Sequence, residues 1–188
     1  MESRSVASAG GARTEEIATM TPEGVIRFRL AFEPGPAPDP ELLEPLFAWR
    51  EVLVERGWLG QEPARYQGLG FGNVSRRDPE APGTFLVSAT QTGHLRWPDA
   101  SAYARVTGHD VEANRIVAPG PAPPSSEALT HAAVYAAAPA VQFVFHVHAP
   151  ELWRDARARG LACVPEDVEY GTPAMAAAVG ELAAAGAP

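Results

Sequence analysis

Two imidazoles one residue apart, His146 and His148, close the stretch Val141 to His148. On a strand, residues two apart point the same way and stand roughly 6.5 to 7 Å apart along the chain. That spacing lets two imidazoles converge on one metal ion. The same pattern also describes the polar end of an ordinary strand, and spacing alone leaves both readings open. Upstream lies Glu127, a carboxylate that can balance the charge of an ion and move a proton. Ser125 and Ser126 come just before it. At the start of a helix, free backbone N–H groups and the positive dipole end favour an anion, and serine hydroxyls add donors. Ordinary N-capping accounts for one of the two serines. Together these residue types suit a divalent ion beside an anion.

The elements that would position them follow from the neighbouring residues. Pro123 and Pro124 resist helix, Glu127 to Ala138 is rich in strong helix formers, and Pro139 ends the run. Val141, Phe143, Phe145 and Val147 share one face of the strand that follows, the expected core face. Gln142, Val144, His146 and His148 share the other. His131 falls one helical turn after Glu127, where it either orients the carboxylate or sits as a satisfied core histidine. His109, in a Thr-Gly-His-Asp turn, reads as a solvent-facing hydrogen-bonding group.

Composition narrows the function classes. The chain has 188 residues, 46% hydrophobic, a formal charge of −8 and a pI near 5.1. That length suits one domain with a substantial core. The positive charge is carried by scattered arginines without a basic run, which argues against nucleic acid and leaves small anions as partners. Cys163 is the only cysteine, so no intrachain disulfide can form; its apolar neighbours predict a core position, and a cytoplasmic setting is the simplest expectation. No window resembles a membrane span or a signal peptide.

Along the chain, residues 1–20 lack periodicity and read as a disordered N-terminal tail, with a single domain over 21–188. Val25 to Phe32 alternates as a half-buried strand, and a proline-rich connector leads into a helix over Pro40 to Arg56 that Gly57 can cap. Gly68 to Arg77 holds clustered glycines but lacks the order of a dinucleotide fingerprint. Thr84 to Ala89 reads as a strand followed by a polar loop at Thr90 to His94. A short helix is expected from Leu95 to Val106, and a strand at Asn114 to Val117. Pro150 to Arg159 reads as a helix with Leu152 and Trp153 inward and arginines outward. A last helix is expected from Pro173 to about Ala185.

Taken in order, GNVS (Gly72 to Ser75), TQTG (Thr90 to Gly93), PSSE (Pro124 to Glu127), HVH (His146 to His148) and YGT (Tyr170 to Thr172) resemble the class II aldolase/adducin family over roughly Leu46 to Glu181. The resemblance implies a three-layer α/β/α fold with a central mixed, largely antiparallel sheet, assembled as a homotetramer. It implies a lyase that makes or breaks a carbon–carbon bond in a small hydroxy-carbonyl or sugar-phosphate compound through a metal-stabilised enediolate, with zinc the usual metal. His146 and His148 match two metal ligands. Glu127 matches the acidic residue that approaches the metal and exchanges the substrate proton, while Asn73, Thr92, Gly93, Ser125 and Ser126 match phosphate-binding positions.

The family also supplies a third metal histidine after the final helix, and the sequence holds none beyond His148. A shortened form of a longer protein is therefore expected, with His94 the nearest substitute ligand. No tyrosine matches the family's proton donor, Tyr170 standing at a different offset. Two other activities compete: a non-catalytic, adducin-like assembly module, and a metal-dependent epimerase, dehydratase or decarboxylase on the same scaffold.

Overall fold

The computed structural model describes residues 26–186. The tail expected at residues 1–20 lies outside the described residues. In chain order the elements are β1 (Arg29–Pro34), α1 (Pro40–Glu55), β2 (Gly60–Gln61), β3 (Gly70–Phe71), β4 (Asn73–Arg77), β5 (Phe85–Ser88), β6 (Tyr103–Val106), β7 (Gly108–Asp110), β8 (Arg115–Gly120), α2 (Ala128–Ala137), β9 (Phe143–His146), α3 (Pro150–Trp153) and α4 (Pro173–Ala184).

Strand alternation sets the layers. In β5, Phe85 and Val87 face one side and Leu86 the other, so the strand is buried on both faces. Phe85 and Val87 join Ala128, Leu129 and Ala132 of α2 and Ala176 of α4 in one apolar cluster. Leu86 joins Val74 and the α1 residues Leu43, Leu46 and Leu53 in a second cluster on the opposite face. The antiparallel sheet β6-β5-β4-β9 thus lies between α1 and the α2/α4 pair. A second sheet, β1-β8-β7, has β1 parallel and β7 antiparallel to β8. It continues from the first where β6 runs into β7, the Thr107 N–H donating to the Val117 carbonyl at 2.9 Å. The three-layer α/β/α fold with a mixed, largely antiparallel sheet is as expected.

Several local expectations change. The helix expected from Leu95 to Val106 is a 3-10 turn, Ala100–Ala102, followed by β6, because Tyr103, Ala104 and Val106 are needed on two buried sheet faces. The helix from Pro150 stops at Trp153, and Trp153 is 80% exposed rather than inward. Cys163 is exposed, since the segment after α3 runs as surface turns. In α1, Trp49 and Val52 also lie outward, Trp49 resting on Phe145 with ring centroids 5.3 Å apart. β9 is an edge strand, so the Phe143 and Phe145 face is only half-buried although it packs on the second cluster.

Candidate functional site

All eight residues singled out in the sequence line one cleft: Asn73, Thr92, Gly93, Ser125, Ser126, Glu127, His146 and His148, with Tyr66, Gln91 and Tyr170 beside them. The cleft opens where β4 begins and β9 ends. Antiparallel register puts Asn73 opposite His146. His148 lies just past β9, fixed by its N–H to the Trp58 carbonyl at 2.9 Å and walled by Tyr66, whose ring meets it edge-on at 4.5 Å. The two imidazole centroids are 4.8 Å apart.

Burial holds both rings neutral. His146 titrates near 4 because its ring is desolvated. His148 is also lowered to about 4, by desolvation first and then by His146 and Arg65. A neutral ring keeps a lone pair, the form a metal ion requires.

The opposite wall is built from the mouth of α2. The Glu127 N–H donates to Ser125 Oγ at 3.2 Å, and Ser126 Oγ and the Tyr170 hydroxyl are 3.0 Å apart. Burial raises the Glu127 carboxyl, against hydrogen bonds from Thr130 and Tyr170 that lower it. Its Oε1 is buried without a partner. A buried polar atom left in that state costs free energy unless a ligand completes it.

The third part is the loop holding Thr92 and Gly93. A Cβ at Gly93 would come within 2.2 Å of the Gly60 carbonyl oxygen and 2.9 Å of Gly70 Cα, so only glycine allows this approach. Arg50 of α1, 1% exposed, reaches up from beneath and donates to the Thr92 and Leu95 carbonyls, both at 2.8 Å. Gln91 accepts from the Gly70 N–H at 3.1 Å while holding a φ of 56°. Arg50 and Gln91 are not among the sequence candidates; the spacing of Arg50 with Leu43, Leu46 and Leu53 on one stripe of α1 is the signal that could have found it.

Other histidines are elsewhere. His131 is a core histidine: Nδ1 meets Ser75 Oγ at 2.6 Å, and Ser75 meets the Tyr135 hydroxyl at 2.8 Å. Its ring, lowered to about 3 by burial, bonds to Ser75 rather than to the Glu127 carboxylate. His94 is exposed and contacts the Gln91 carbonyl, and His109 is exposed on β7. Among the described residues, no group of three or more His, Cys, Asp or Glu side chains gathers to hold a metal. The His146/His148 pair fits a divalent ion by donor type, neutrality and position, with the unpartnered Glu127 oxygen lining the same cleft.

A layered α/β/α domain with a histidine pair at a strand end, a buried carboxylate and a glycine loop around one cleft defines a class of aldolase-like domains. The chain belongs to the class II aldolase and adducin N-terminal domain family, whose profile matches residues 64–182. Among solved structures it is similar to YgbL from Klebsiella pneumoniae, a candidate aldolase/epimerase/decarboxylase, at 23% identity and a TM-score of 0.56, covering 77% of this chain and 70% of that one. YgbL from Escherichia coli is similar at 20% identity and a TM-score of 0.54, covering 77% and 71%. An L-fuculose 1-phosphate aldolase is similar at 20% identity and a TM-score of 0.56, covering 77% and 69%. These likenesses show a shared fold. No curated protein sequence matches the chain. Among the described residues, no helix is long and apolar enough to cross a membrane.

Proposed function

We propose that the protein is a metal-dependent lyase of the class II aldolase type, acting on a small, anionic hydroxy-carbonyl or sugar-phosphate substrate. The observation that carries the reading is the common cleft: paired neutral histidines, a buried carboxylate, Ser125, Ser126 and the Thr92–Gly93 loop all line it. His146 and His148 would hold the ion, zinc being the metal that suits imidazole donors without redox chemistry. When bound, the ion supplies a Lewis acid that polarises the substrate carbonyl. Glu127 accepts the proton from the carbon beside that carbonyl in the condensation direction and returns it there in cleavage. Its raised affinity for a proton suits a group that must carry one at neutral pH. Ser125, Ser126, Thr92 and Gly93, with Asn73 at the edge, receive the anionic end of the substrate, since all five line the cleft. The homotetramer and the single domain over residues 21–188 are carried over from the family resemblance; exposed Trp97 and Trp153 are apolar surface that assembly would cover.

The test is to incubate zinc-loaded protein with a panel of aldol donors, aldehydes and phosphorylated hydroxy-ketones, and to compare it with Glu127→Gln. Carbon–carbon cleavage or condensation is expected, falling by about 100-fold or more in the variant, the range for loss of a general acid–base. Products with an intact carbon chain would contradict aldol chemistry and favour an epimerase or dehydratase; carbon dioxide release would favour a decarboxylase. The gathering of only two histidines among the described residues favours a second reading, a non-catalytic adducin-like module. Purified protein without metal uptake and without Glu127-dependent turnover would support it.

A further inference from the structure

The Asn73 side chain has an unequal set of partners. Its Nδ2 is 3.1 Å from His146 Nδ1, while its Oδ1 is buried with none. Directly opposed residues of an antiparallel pair share a face, so β4–β9 register holds these two groups together. An amide nitrogen only donates. In this arrangement His146 Nδ1 must accept, and the neutral ring carries its proton on Nε2. That tautomer has no lone pair left for an ion. Turning the carboxamide over exchanges Nδ2 for Oδ1 with almost no change of shape. The formerly unpartnered oxygen then accepts from Nδ1–H, and Nε2 gains the lone pair.

We propose that Asn73 is a positioning residue whose carboxamide orientation selects the His146 tautomer: one orientation stores the ring in a form that cannot bind metal, and the other presents Nε2. The inference rests on the metal-binding reading above and assigns Asn73 a task beyond receiving the substrate anion. The general reason is that the partner of the non-ligating nitrogen fixes which nitrogen of an imidazole is protonated. A side chain that can both donate and accept lets the same ring exist in both states without a charged neighbour. An aspartate at this place would only accept and would hold the Nδ1–H form permanently. A leucine would favour neither.

The experiment follows the His146 ring nitrogens by long-range proton–nitrogen NMR at pH 8, with His146→Ala assigning the signals. Wild type, Asn73→Asp and Asn73→Leu are compared without metal and with zinc, and zinc affinity is measured on each. The metal-free wild type is expected as the Nε2–H tautomer and Asn73→Asp as Nδ1–H. Zinc converts the wild type to Nδ1–H. Asn73→Leu is expected to bind zinc about 10- to 100-fold more weakly, with Asn73→Asp restoring affinity. The same His146 tautomer in metal-free wild type and Asn73→Asp overturns the inference, as does unchanged zinc affinity in Asn73→Leu. If wild type takes up no zinc, the metal-binding reading fails, while the metal-free tautomers still decide the role of Asn73. Should Asn73→Leu fail to fold, the Asn73→Asp comparison carries the test alone.

Discussion

The two walls of the cleft are made by different means. On the sheet wall, His146 and Asn73 are held by strand register, and desolvation keeps the imidazole neutral. On the loop wall, Thr92 and Gly93 are held by a backbone-to-backbone approach and by the guanidinium of Arg50 underneath. On the reading proposed above, the sheet wall holds the metal and the loop wall receives the anion. Truncating a side chain on the sheet wall would remove a proposed ligand but leave the ladder. Changing the loop wall moves main chain, and with it every donor the loop presents. Metal uptake and anion binding should accordingly be separable by mutation.

Gly93→Ala is the largest expected break. Its Cβ would overlap the Gly60 carbonyl oxygen at 2.2 Å, and relief requires the loop to move. Overpacking against rigid backbone is expected to cost about 3 kcal/mol or more. Thermal unfolding should show that loss, phosphate binding by calorimetry should disappear, and zinc uptake should persist in the folded fraction. Normal phosphate affinity in Gly93→Ala would mean that the loop is not the anion wall.

Arg50→Met is milder. It leaves the Thr92 and Leu95 carbonyls without their donor, a penalty of about 1–3 kcal/mol. Phosphate affinity is expected to fall about tenfold, close to 1.4 kcal/mol, with zinc affinity unchanged. Equal loss of both ligands would show that the walls are coupled rather than separate.

A different kind of effect is graded with pH. His131 is lowered to about 3, and His146 and His148 to about 4, against an ordinary value of 6.5. Above pH 6.5 both folded and unfolded chains keep these rings neutral, and their contribution to stability is complete. As pH falls below 6.5, the unfolded chain takes up protons that the folded chain refuses, so stability declines until the folded rings protonate near 4 and 3. Glu127 acts in the opposite sense, because its raised carboxyl makes the folded state the stronger proton binder; its contribution is present at low pH and lost as pH rises through its folded value. Melting temperatures of the metal-free protein should fall between pH 6.5 and 4. A flat profile there would show that the imidazoles are not desolvated.

Much of this organisation was legible in the sequence because it is local. Glu127 and the serines announce a helix mouth, and the alternation around His146 and His148 announces a strand; their meeting at one cleft is a tertiary fact that the sequence offers only through the family resemblance. What could not be read depends on distant packing. His131 occupies a position as suggestive as His146, yet Ser75 and Tyr135 draw it into the core, a partnership between β4 and α2 that spacing does not encode. Arg50 shares the buried stripe of α1 with Leu43, Leu46 and Leu53, but spacing does not name its partners, the Thr92 and Leu95 carbonyls. Tyr103 to Val106 reads as helix by composition, but sheet pairing with β5 overrides that preference. Trp153 and Cys163 lie in a segment whose apolar residues have no layer to cover them.

Zinc binding by the His146/His148 pair underlies the catalytic reading, and equilibrium dialysis measures it directly. Wild type should bind one zinc per chain, and His146→Ala/His148→Ala should lose at least about 100-fold in affinity, the scale set by removing ligands from a site that holds few. Equal zinc content and affinity in the two proteins would contradict it.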